Sequence, residues 1–109
     1  MGAIMNILSF DNNDMVDFVG THLQGYVVAD YADIVEKFGE PTFIEGGDKT
    51  NSEWHLDFKV ATEDGEDFDY VTAIIYDWKE RETPVGKYRW HIGGHDYRAV
   101  EAVHEVMGV

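Results

Sequence analysis

The chain has no cysteine and only two prolines in 109 residues, and its eight lysines and arginines stand against twenty-two aspartates and glutamates. Without cysteine there is neither a disulfide framework nor a thiol nucleophile, which fits a reducing compartment. So few cations, none of them clustered, speak against a surface that grips nucleic acid or an anionic membrane directly. Long apolar runs are missing too. Met1 to Phe10 is apolar but short, lacks a basic start and runs into Asp11 and Asp14, so it reads as neither secretory signal nor membrane span. Ser9 and Ser52 are the only serines, and neither lies in a nucleophile elbow. The expected protein is soluble and cytoplasmic.

What is present separates the chain from acidic disordered tails. Hydrophobic residues make up 44 %, with three Trp, six Tyr and six Phe, enough to form a core. The length allows one domain over 1–109, with residues 1–24 as an N-terminal extension and 25–107 as the compact core. Met15, Phe18 and Val19 recur at near-helical spacing, so Asn13 to Gly20 is expected to be a short helix. Gly25 to Ala29 reads as a strand. Asp30 is a good N-cap with Asp33 in the first turn, Tyr31, Ile34, Val35 and Phe38 form a buried stripe, and Gly39-Glu40-Pro41 stops the helix.

From Glu53 the pattern alternates. Trp54, Leu56, Phe58 and Val60 point one way while Glu53, His55, Asp57 and Lys59 point the other, as in a half-solvated antiparallel strand. Glu63-Asp64-Gly65-Glu66 supplies a turn, and Tyr70 to Trp78, apolar on both sides, reads as a central strand. Tyr88, Trp90 and Ile92 alternate before Gly93-Gly94, which is expected to break the strand. A last helix begins at Asp96 as N-cap, carries Tyr97, Val100, Val103, His104 and Met107 on one stripe and closes at Gly108. The fold class is α+β, a small antiparallel sheet with helices on one face in the order (α)-β-α-β-β-β-α, the other face open to water.

Gly25-Tyr26-Val27, Tyr31, Phe38-Gly39-Glu40-Pro41, Lys49-Thr50, Glu53-Trp54, Ile75-Tyr76-Asp77-Trp78-Lys79 and Trp90-His91-Ile92-Gly93-Gly94-His95 follow one another in this order. This dispersed pattern resembles that of small, largely uncharacterised accessory proteins of tailed bacteriophages, over roughly residues 25 to 107. The resemblance implies a protein made in a bacterial host and directed against a host defence complex. It attaches no catalytic residue to this chain.

The residues themselves offer three functional readings. His55, Asp57 and His91, with His95 beyond them, are suitable ligands for a transition metal if their strands meet; the spacing alone shows no convergence, and neither a cofactor nor a catalytic set is assigned. The apolar extension, Ile4 to Phe10, offers a homodimer contact. The third reading rests on charge. A net −14 falls in three groups, Asp11, Asp14 and Asp17 near the amino end, Asp30, Asp33 and Glu36 with Glu40, Glu45 and Asp48 following, and the hairpin run from Glu63 to Asp69 with Glu63, Asp64, Glu66 and Asp67, the last two groups holding most of it. Carboxylates three or four apart on a helix stand about 5–6 Å apart, the order of neighbouring backbone phosphates. These acids are expected to bind a basic host nucleic-acid-binding or defence protein by nucleic-acid mimicry, with Trp78 as an aromatic anchor.

Overall fold

A computed structural model describes residues 5–44 and 49–109. Among these residues, six strands and two helices are arranged as β1 (Ile7–Asn12), β2 (His22–Ala29), α1 (Tyr31–Phe38), β3 (Phe43–Ile44), β4 (Ser52–Ala61), β5 (Phe68–Tyr76), β6 (Tyr88–Gly94) and α2 (Arg98–Met107). This is an α+β fold. The antiparallel sheet runs β1-β4-β5-β6-β2, with β3 sharing the β1 edge of β4. Both helices cover one face. Trp54, Leu56, Phe58, Ala73, Ile75, Trp90 and Ile92 point into that layer and are fully buried, as the period-2 alternation requires.

Two indoles determine where α1 lies. The rings of Trp54 and Trp90 meet edge to face with centroids 5.3 Å apart, and Tyr31 packs on both. Trp90 Nε1 donates to the carbonyl of Ala29, just before the helix, and Trp54 Nε1 donates to the carbonyl of Gly39, just after it. Asp33 reaches back to accept from the Asp30 amide at 3.4 Å, an acid in the first turn where the helix dipole favours it. Gly39, at φ +89°, donates to Val35 and ends the helix. The same end of the sheet, just before Trp54, is fastened by Asp77. Its carboxylate, fully buried, accepts from the amides of Asn51 and Ser52 and from Asn51 Nδ2.

Four expectations are corrected. Asn13 to Gly20 is not helical: Asn13 Oδ1 accepts from the Met15 amide and Asp17 Oδ1 from the Val19 amide, and such turns compete with a short helix. Residues 5–24 are not a separate extension in hydrogen bonding, because β1 pairs with β4 from Ile7 to Asn12. Gly93 and Gly94 do not break β6; both pair across to β5 and β2. The N-cap of α2 is Tyr97, and the Asp96 carboxylate caps from one residue earlier by accepting the Arg98 amide at 2.9 Å.

The outer sheet face is not simply open either. β1 and β2 are opposite edges, so residues 13–21 must cross about 19 Å of sheet at roughly 4.8 Å per strand. They do so over His55, where Phe18 lies edge-on to the imidazole at 5.2 Å while Phe43 approaches from β3 at 4.8 Å. His55 and Ile74 are buried there.

Glycine sets the height of α2 above the sheet. A Cβ on Gly94 would stand 2.3 Å from Ala99 Cβ, and one on Gly25 would stand 2.9 Å from Val100. Gly94→Ala is therefore expected to destabilise the fold by about 1–3 kcal/mol through overpacking, read as a lower urea midpoint at unchanged slope. Gly86→Ala, where nothing lies within 4 Å and φ is not positive, is expected to be neutral or stabilising by about 0.4–1 kcal/mol.

Candidate functional site

The sheet separates two candidate surfaces. On the helical side α1 and α2 touch, and Asp33, Glu36, Glu101 and Glu105 point from them into solvent. Glu101 also shares a groove of about 700 Å³ with Glu63, Gly65, Asp69 and Arg98, which joins the β4–β5 hairpin to the helix. Among the described residues, each helix of this side carries one lysine or arginine. Lys37 is on α1, and Arg98 is held between Asp96 at 3.2 Å and Asp69 at 3.7 Å.

The acids named from sequence divide by role. Asp30 is half-buried at the start of α1, whereas Asp33 and Glu36 are exposed. In the hairpin, Asp64 accepts from Thr62 Oγ1 and the Glu66 amide, which holds its carboxyl below the ordinary 3.8, and Asp67 accepts from the Phe68 amide. Among the described residues, Glu63 and Glu66 accept no such bond. Glu45 and Asp48 lie outside the described residues. Along β4, Trp54 beside α1 and Ala61 before the hairpin are seven residues apart, roughly 23 Å. The α2 acids Glu101 and Glu105 stand on the intervening helical layer. Their sequence signal is weak, because the buried Ala102 and Val103 separate them and they form no run.

Trp78 lies elsewhere. It follows the end of β5 remote from the hairpin and belongs to the outer face, where the row Glu53, Tyr76, His91 and Tyr26 crosses the sheet in register. Tyr76 stacks on His91 at 5.2 Å, Tyr26 meets it edge-on at 5.1 Å, and Trp78 lies 6.3 Å from the same imidazole. Burial, with Arg89 beside it, holds His91 below the ordinary 6.5. Lys49 and Lys79 stand 5.6 and 5.8 Å from the Trp78 ring, and Arg89 covers Tyr26 at 4.1 Å. Lys49, Lys79 and Arg89 thus stand on the outer face and its loops, together with Asp11, Asp57 and Glu53.

His55, Asp57 and His91 do not converge. β5 runs between the two histidines, Asp57 accepts from Thr72 Oγ1 at 2.8 Å, and His95 is exposed beyond the row. Among the described residues no group of three or more His, Cys, Asp or Glu side chains is placed to hold a metal ion, and no helix is long and apolar enough to cross a membrane. His104 bonds the carbonyl of Tyr26 at 2.8 Å and ties α2 to β2.

A cleft of about 280 Å³ opens on the outer face between the crossing segment and the Glu53 row, lined by Phe18, Leu23, Glu53, Ile74, Tyr76 and Trp78 among others. One Glu53 oxygen lies 2.8 Å from His55 Nε2 and the other accepts from Thr50 Oγ1 at 2.6 Å. The buried Nδ1 of His55 has no partner among the described residues. Against protein-family models, curated proteins and solved structures alike, the chain shows no match.

The Glu53 arrangement fixes a pH response. The His55 hydrogen bond, partly opposed by burial and aided by Thr50, holds the Glu53 carboxyl below the ordinary 4.5. A depressed carboxylate contributes stability that is complete above its unfolded value and disappears as pH falls through the folded one. Stability is expected to fall as pH drops below 4.5, and Glu53→Gln is expected to flatten part of that limb. Urea midpoints measured from pH 6 to about pH 3 check this; an unchanged acid limb in the variant counts against the pairing.

Proposed function

We propose that the chain is an acidic binding protein that inhibits a host nucleic-acid-binding or defence protein by occupying its basic groove with the helical face. The observation that carries this reading is the cluster of exposed carboxylates on the helical side. Those of α1, α2 and the hairpin share one side with Lys37 and an ion-paired Arg98, while Lys49, Lys79 and Arg89 lie on the other face or its loops together with Asp11, Asp14, Asp17, Glu53 and Asp57. A carboxylate surface of this kind steers a basic partner, and neighbouring acids on a helix recur at about 5–6 Å. Mimicry of a nucleic acid backbone is the finer part of the proposal, consistent with carboxylates displayed on rigid helices. Trp78 belongs to the opposite face, so the partner contact is assigned to Asp33, Glu36, Glu63, Glu66, Glu101 and Glu105.

Immobilised protein is expected to retain a nucleic-acid-binding protein from bacterial extract at about 0.1 M salt and release it near 1 M, where screening shortens to about 3 Å. Duplex DNA should compete, and Glu101→Lys with Glu105→Lys should weaken retention at least about tenfold while Lys49→Glu leaves it unchanged. Retention that ignores salt, DNA and the helical charge reversals would overturn the reading.

A further inference from the structure

The outer-face cleft has the chemistry of a site for one planar nitrogen heterocycle, and we infer that it binds a nucleobase bearing an exocyclic amino group, as a free nucleotide or as a base of a single strand. This inference is independent of the helical face. The floor is apolar and recessed, because Gly93 stands in register between Ile74 and Leu23 and contributes no side chain. Phe18, Tyr76 and Trp78 supply aromatic walls, the kind of surface on which a base stacks at about 1–3 kcal/mol.

One polar edge selects the ligand. Glu53, oriented by His55 and Thr50, keeps two of its roughly four lone-pair sites for an incoming donor pair, and a carboxylate is the natural acceptor for base amino groups. Guanine presents a ring N–H beside its amino group, two adjacent donors for two oxygens. Uracil presents carbonyls on both sides of its ring N–H and would oppose acceptor to acceptor. Lys49 and Lys79 beside Trp78 place positive charge where a nucleotide phosphate can leave the cleft. Its volume, about 280 Å³, sits at the lower end of ligand sites and suits a single ring system rather than a stack.

Trp54 and Trp90 are completely buried and Trp78 is not, so quenching of intrinsic fluorescence can report on the cleft, and amide chemical shifts of Ile74, Gly93 and Trp78 can locate the contact. GMP is expected to bind about tenfold or more tighter than UMP, guanosine more weakly than GMP, and a short dG oligonucleotide at least as well as GMP if the source is a strand. Glu53→Gln should abolish the preference for GMP over UMP. Gly93→Ala, whose Cβ would meet neighbours at no less than 3.6 Å, should narrow the cleft and lower affinity while the folded spectrum persists. Absence of shifts at millimolar GMP, or equal binding of GMP and UMP by the unmodified protein, would overturn the assignment.

Discussion

The Trp54–Trp90 pair is the contact on which the helical half of this structure depends. Each indole buries a large apolar surface, and each also has one N–H that must find an acceptor once water is excluded. The acceptors are the carbonyls at the two ends of α1, so the same rings that fill the core fix the helix at both termini. An eight-residue helix is too short to be stable alone. Here its position is imposed by β4 and β6, and its acidic side is directed outward because Ile34 and Phe38 are drawn inward.

The second constraint is topological. A chain that starts at one sheet edge and pairs next at the other must pass over a face, and the helices already occupy one. The crossing therefore falls on the outer face, where Phe18 covers His55 and makes one wall of the cleft. The polar residues beneath it acquire partners of their own: His55 with Glu53, and Glu53 with Thr50. A surface that alternation alone assigns to solvent becomes a partly enclosed, hydrogen-bonded one.

Much of this was legible in the sequence, and the failures have physical causes. Alternation through β4 and the caps of α1 depend on neighbours in sequence, and the structure reproduces both. The inward phase of Val71, Ala73 and Ile75 even extends to Asp77, whose burial follows once two backbone amides are available to satisfy it. β1 was missed because an edge strand six residues long is defined by its partner, and nothing local distinguishes it from an apolar leader. Gly93 and Gly94 look like punctuation in a sequence. In the fold they are places where another element needs the space, an α-helix over Gly94 and an open recess at Gly93. For the candidate site, Asp33, Glu36 and the hairpin acids were visible as charge runs, whereas Glu101 and Glu105 joined them only when two helices met.

Screening shortens electrostatic influence to about 8–10 Å near physiological salt, so a sheet with a helical layer on one side can present different local fields on its two faces. The net charge then describes encounter at a distance, and the faces describe contact. On the proposed reading, a basic protein surface would meet Asp33, Glu36, Glu101 and Glu105 at the helices, beside Lys37 and an ion-paired Arg98. In the proposed cleft, a ligand phosphate would meet the lysines beside Trp78 within the same short range, and the carboxylate of Glu53 would act only on what has entered. A single sheet that keeps its helical acids and its aromatic cleft on opposite faces would let the two proposed contacts act without sharing residues.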